Sequence, residues 1–171
     1  GPGEGGLVIF HADGKLDGAG FARNFLADPE WFTKVIEDRK EDIRPCILWN
    51  DGRTQRLVDY LNGVIGKDKL SRYTANIAFA GFTAPKLLWM QENEPDNFAR
   101  IEKIMLPKDY LAYRLSGIFC TDVSDASGML LMDVKHRCWS KEMLDICGIT
   151  GEMLPKLYES YEVVGTLKKE I

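Results

Sequence analysis

Histidine is scarce in this chain. Only His11 and His136 occur among 171 residues, both in polar, turn-like settings, so a histidine-based acid–base machine is not expected. The four cysteines, Cys46, Cys120, Cys138 and Cys147, form no C-x-x-C pair, and their spacing suits neither a zinc site nor a dense disulfide framework. Free thiols in a reducing cytoplasm are the expectation. Long apolar runs are missing too: stretches such as Leu87–Met90 and Met129–Met132 are far too short to cross a bilayer. Basic residues form no stripe and the net charge is -4, which argues against nucleic acid as a partner. Neither G-x-x-x-x-G-K-[ST] nor G-x-G-x-x-G occurs, so no motif here cradles the phosphates of ATP. No secretory signal is recognisable, and residues 1–5 of the opening GPGEGG read as a tag or linker.

What is present suits a globular α/β protein. With 45% apolar and 28% charged residues, the chain can bury the core of one domain or of a large part of a longer protein. Leu7–Phe10 predicts a strand running into the turn His11-Ala-Asp-Gly14. Residues 17–43 change character: Asp28-Pro29 is a helix start, Trp31, Phe32, Val35 and Ile36 follow at helical spacing, and charges close the segment. This stretch is expected to be a helical insertion. Pro45–Trp49 predicts a strand covered on both faces. From Thr54 to Ile65, Leu57, Val58, Leu61, Val64 and Ile65 fall on one helical stripe that Gly66 stops. A loop at Gly81 leads into a helix with Pro85 in its first turn, and Glu94-Pro95-Asp96 opens another. Lys103–Leu106 predicts a strand, and a helix runs from Pro107 to Gly117. Ile118–Thr121 and Met129–Asp133 flank a polar loop, DVSDASG, and Ser140 and Thr150 cap further helices. Tyr161–Leu167 closes as an extended run, and the chain ends without a stop signal. Strands alternating with helices make α/β the fold class.

Three stretches are candidates for chemistry. In ILWNDGRT an apolar run ends on Trp49 and passes at once into Asn50, Asp51, Gly52 and Arg53. Ligand sites of open α/β sheets lie beyond the carboxyl ends of strands. An indole face can stack on the C–H face of a sugar while Asn and Asp bind hydroxyls. The same residues also make a plain structural turn, with Arg53 paired to a carboxylate. In DVSDASG, Asp122 and Asp125 could suggest a base or a metal loop. The oxygen ligands and closing Glu of an EF-hand are absent, and a loop that satisfies its own backbone is the expectation. Asp109 falls in the first turn of its helix, where the dipole stabilises a carboxylate without any chemistry, and Lys86, a cation in a first turn, calls for an acidic partner.

RPCILWNDGRT, GFTAPKLLWMQEN, and LPKDYLAYRLSG followed by TDVSDASG resemble, in order and spacing, the xylulose kinases of the FGGY carbohydrate kinase family. Gly81, Thr83, Lys86, Trp89, Glu92 and Asn93 fit the first signature of that family. The likeness runs from about Arg44 to the C-terminus and takes in Gly6–Leu16, so residues 6–171 resemble part of an FGGY N-terminal domain. The resemblance implies an RNase H-like, actin-like ATPase fold and transfer of the γ-phosphate of ATP, with Mg²⁺, to O5 of D-xylulose. It makes Trp49 a lining residue of the sugar site, with Asn50, Asp51 and Arg53 beside it.

It also implies a ketose substrate, a cytoplasmic location, a homodimer, and the remaining part of the kinase as partner. Neither nucleic acid nor a membrane is expected as a partner. The departures are specific. The family's Asp-x-Gly-Thr phosphate strand is absent, its Met-His pair is replaced by Glu4-Gly5, and its catalytic aspartate lies in a Gly-Gly-Asp motif of a second domain. Residues 17–43 have no counterpart. No catalytic residue, bound cofactor or metal is therefore expected in this chain. The alternatives are another FGGY sugar or polyol kinase, or a non-catalytic sugar-binding or interaction module.

Overall fold

The computed structural model describes residues 6–8, 43–44 and 46–169. The expected turn after Phe10, residues 17–42 of the expected helical insertion, and Pro45 lie outside the described residues. Strand β1 (Gly6–Val8) pairs in parallel with β2 (Ile101–Ile104), with an irregularity between Gly6 and Leu7. Parallel pairing demands a long crossover, and its described part, residues 46–100, is mainly helical. After a 3-10 turn at Gly52–Thr54 come helix α1 (Gln55–Tyr60), a π-turn at Leu61–Gly66, and α2 (Lys67–Thr74). Next are α3 (Thr83–Asn93) and α4 (Pro95–Ala99), which leads straight into β2.

Helix α5 (Pro107–Ser116) follows β2, with Pro107 at its first position. Strand β3 (Cys120–Asp122) pairs in parallel with β6 (Lys156–Tyr158). Between them lie α6 (Val123–Ala126), a 3-10 turn at Ser127–Met129, an antiparallel hairpin of β4 (Met132–Asp133) and β5 (Cys138–Trp139), and α7 (Lys141–Cys147). Ser140 caps α7 by accepting from Met143 N–H, as its sequence position predicts. A last 3-10 turn, Gly151–Met153, starts at Thr150.

One core unites these pieces. Leu57, Leu61, Leu87, Met90, Met129, Leu130, Leu131 and Met143 are buried in it, joining α1, α3, the Ser127–Met129 turn and α7. Among the described residues no helix is long and apolar enough to cross a membrane.

Several boundaries differ from the sequence reading, each for a physical reason. Residues 46–48 join no ladder among the described residues, so the expected strand at Pro45–Trp49 is an approach without regular secondary structure, anchored by the buried Ile47. The expected strand at Lys103–Leu106 lies at Ile101–Ile104; Met132–Asp133, within the apolar stretch after DVSDASG, and Lys156–Tyr158 are strands that the sequence reading did not single out. Strand limits are set by the partner's register, which apolar content does not encode. Gly66 does stop its helix, at φ +98, and α2 begins on the next residue. Val64 leaves the expected stripe and is 72% exposed. The wider π-turn rotates the face by an extra residue, so a 3.6 period fails there. DVSDASG is helix α6 and its 3-10 continuation rather than a loop, with Asp122 accepting from Asp125 N–H and Ser127 donating to the Ser124 carbonyl.

Candidate functional site

The junction at Trp49 is a tight, multiply pinned turn. Asp51 N–H donates to the Leu48 carbonyl at 3.2 Å. Asp51 then caps the Gly52–Thr54 turn: Oδ1 accepts from Arg53 N–H at 2.9 Å, and Oδ2 accepts from Arg53 Nε at 2.9 Å. The Arg53 guanidinium completes an ion pair with Asp51 at 2.8 Å. That hydrogen bond from Arg53 holds the Asp51 carboxyl below its ordinary range, and the same bond raises Arg53 further above its own. The two side chains of the predicted set that carry charge are thus spent largely on each other.

Trp49 is 75% exposed and Asn50 is exposed beside it. Apolar residues exposed singly are ordinary on protein surfaces; what sets Trp49 apart is that its turn is pinned by Asp51. A second turn, 79–82, supports it. Phe82 N–H donates to the Phe79 carbonyl at 3.0 Å, and the two rings meet edge to face with centroids 5.4 Å apart. Gly81 lies against Trp49: a Cβ at Gly81 would come within 3.1 Å of the Trp49 carbonyl oxygen. Phe79, half-exposed on this turn, was not foreseen from sequence. Its only signal was an aromatic residue two positions before a glycine at the mouth of a helix.

Both turns are tied to helices. The Asn62 side chain grips residue 78 at two points, donating to the Ala78 carbonyl and accepting from Ala78 N–H, each at 2.9 Å. The buried Thr54 hydroxyl donates to the Ala80 carbonyl at 3.4 Å. Lys86, buried in the first turn of α3, donates from Nζ to the Gly81 carbonyl at 2.9 Å. Burial pushes its amine below the usual lysine range, while neighbouring Cys46 and Asp51 pull it back up. Asp51 acts on this amine as a nearby negative charge. One turn on, the Trp89 ring receives the Arg53 guanidinium at 4.9 Å and that of Arg44 at 5.8 Å. Arg44 is also paired with Glu94 at 2.7 Å.

A second polar cluster is separate from these contacts. Lys108 Nζ lies 2.6 Å from Asp109, 2.7 Å from Asp122 and 3.5 Å from Asp125. The carboxylates that could have suggested a base or a metal loop therefore converge on an ammonium group. Among the described residues no group of three or more His, Cys, Asp and Glu could hold a metal ion.

Residues 32–171 match the N-terminal domain of the FGGY family of carbohydrate kinases. The chain is 45% identical over 137 residues to xylulose kinase of Lactococcus lactis subsp. lactis (strain IL1403), a match covering 80% of this chain and 27% of that protein. It is 42% identical over 137 residues to xylulose kinase of Escherichia coli (strain K12), covering 80% of this chain and 28% of the relative. Among solved structures, a xyloylose kinase from Brucella ovis superposes with a TM-score of 0.72 at 44% identity, covering 77% of this chain and 26% of that one. A gluconate kinase from Lactobacillus acidophilus superposes at 0.71 with 27% identity, covering 77% and 27%. The α/β class read from the sequence therefore holds, as part of the actin-like, RNase H-like architecture of these kinases. The chain spans just over a quarter of the length of these two curated relatives.

Proposed function

Because this chain belongs to the FGGY family of carbohydrate kinases, we propose that it is part of a xylulose kinase that phosphorylates D-xylulose at O5 from ATP. In this reading the chain contributes sugar-binding-domain structure. The observation that carries it is an indole held 75% exposed on a rigid turn, in a chain 45% identical to a xylulose kinase. Trp49 stacks on the carbon face of the ketose and Asn50 binds a hydroxyl. Asp51 and Arg53 border the sugar and keep the turn rigid through their mutual ion pair.

Mg²⁺ and ATP do not fit the described residues. The Lys108 ammonium occupies the place among Asp109, Asp122 and Asp125 that a cation would take, and no phosphate-cradling glycine motif is present. Phosphoryl transfer and the base that accepts the sugar proton are assigned to the remaining part of the kinase. The strongly exposed Tyr161, Val163 and Leu167 offer an apolar surface for that part to cover. A cytoplasmic setting and a homodimer belong to the same proposal. A second reading, an FGGY kinase for another sugar or polyol, is favoured by the likeness to gluconate kinase at a TM-score of 0.71.

Titrating D-xylulose into the 171-residue chain while following tryptophan fluorescence tests the reading. Trp49→Ala is expected to weaken binding by about tenfold, the worth of one stacking contact. Equal binding by the parent and Trp49→Ala chains would remove Trp49 from the site, and tighter binding of gluconate or glycerol would favour the second reading. The isolated chain is expected to release no ADP from ATP and D-xylulose above background. Turnover would contradict the assignment of catalysis to the rest of the kinase.

A further inference from the structure

We propose that Lys86 is a positioning residue, whose buried ammonium fixes the turn that carries Trp49 by holding the Gly81 carbonyl. The proposal rests on the reading of Trp49 as a sugar wall and adds the device that aims it. Burying an ammonium in the first turn of a helix is costly twice over, through lost hydration and through the unfavourable end of the helix dipole. At 5% exposure, an apolar side chain of similar length would serve packing at lower cost. What an ammonium adds is direction: at 2.9 Å it fixes the orientation of the Gly81 peptide. That peptide lies so close to Trp49 that a single added carbon would stand 3.1 Å from the Trp49 carbonyl oxygen. A shift of the Gly81 peptide is therefore passed directly to the Trp49 backbone.

The other end of the segment is held from the same helix. Lys86 and Trp89 are three residues apart and share a face of α3. Lys86 holds Trp49 through Gly81, and Trp89 holds Arg53 through its ring at 4.9 Å. Thr54 closes the arrangement by bonding the Ala80 carbonyl. The segment 49–53 is thus clamped at both ends by one helical turn, while the indole itself stays in solvent.

Fluorine NMR of the chain labelled with 5-fluorotryptophan tests this, with Trp31, Trp49, Trp89 and Trp139 assigned by single Phe substitutions. In ligand-free Lys86→Met, which keeps the length and burial of the side chain, the Trp49 resonance is expected to move or broaden while that of Trp139 stays. D-Xylulose binding is expected to weaken by about tenfold, the scale of one mispositioned contact. A merely structural lysine would lower stability and leave the Trp49 resonance in place, and that outcome in a folded variant overturns the proposal. Should Lys86→Met fail to fold, Lys86→Gln decides, because its shorter neutral side chain gives up the charged bond to the Gly81 carbonyl while staying polar. A displaced Trp49 resonance supports the clamp, and an unchanged one overturns it. If D-xylulose leaves the Trp49 resonance of the parent chain unmoved, the sugar-wall reading fails, while the ligand-free spectra still decide the role of Lys86.

Discussion

Replacing Lys108 by methionine removes an ammonium that stands among three carboxylates. Lys108 occupies the second position of α5 and lies within 4 Å of three carboxylates, of which Asp109 is only 2% exposed. Burial pushes the Asp109 carboxyl above its ordinary range, against the pull of Lys108. In the variant a buried charge loses its counter-ion, which typically costs 3–5 kcal/mol. Two features keep the cost at the lower end. Asp109 still accepts from Leu106 N–H at 3.2 Å, and Asp122 and Asp125, at 24% and 52% side-chain exposure, relax into water. The expected loss is about 3 kcal/mol, or roughly 6–12 °C in Tm for a chain of this size.

Asp109→Asn keeps an acceptor for Leu106 and loses a charge-assisted bond, at about 2 kcal/mol. If the charges act as a pair, the double variant leaves no unpaired buried charge and loses about 3 kcal/mol rather than the additive 5 or so. Urea unfolding followed by far-UV circular dichroism measures all four corners of the cycle. A loss below about 1 kcal/mol for Lys108→Met would refute the reasoning. Strict additivity in the cycle would refute it too.

Two further tests follow from backbone and charge. Ala75 ends α2 in the left-handed region at φ 57, so Ala75→Gly relieves about 1 kcal/mol of strain, part of which is offset by a freer unfolded chain. A net gain of about 0.5 kcal/mol in the urea midpoint is expected, and a loss would count against it. Stability should also depend on acid pH with two opposite slopes. The folded-state carboxyl of Asp109 is raised above the usual 3.8, so stability rises as pH falls through its folded pKa toward 3.8. Asp51, lowered chiefly by its Arg53 bond, adds stability that is complete above 3.8 and lost as pH falls through its folded pKa. At Asp122 burial pushes the carboxyl up, but the Lys108 and Asp125 bonds outweigh it, giving the same sign as Asp51. A urea midpoint that only falls from pH 6 to pH 3, with no rise that Asp109→Asn removes, would contradict this.

Helix starts were the most legible feature because their signals are local. Pro95 and Pro107 stand at first helical positions and Ser140 at a cap, and all three helices begin where those residues predict. Strands were less legible: β2 was read close to its place, while β5 and β6 were not singled out. Residues 46–48 carry the apolar run of a strand, but a ladder needs a partner supplied from far along the chain. Val64 shows a subtler limit: the stripe read at 3.6 residues per turn is correct through Leu61, then the π-turn shifts the face and the next predicted core residue emerges into solvent.

The candidate site was legible at the level of residue type and opaque at the level of role. Physical chemistry alone left ILWNDGRT divided between a structural turn and a ligand surface, and the geometry distributes those two descriptions among its residues. Asp51 and Arg53 bond each other as a structural turn would, while Trp49 is left in water. What joins them is non-local. Gly81 and Lys86 lie more than thirty residues away, and only folding reveals that one glycine touches the Trp49 backbone while one lysine holds that glycine's carbonyl. A motif such as GFTAPKLLW therefore need not mark groups that touch a ligand. Here its glycine, lysine and tryptophan all face the segment 49–53 from behind, so the residues that aim the site and the residue proposed to meet the sugar belong to different motifs.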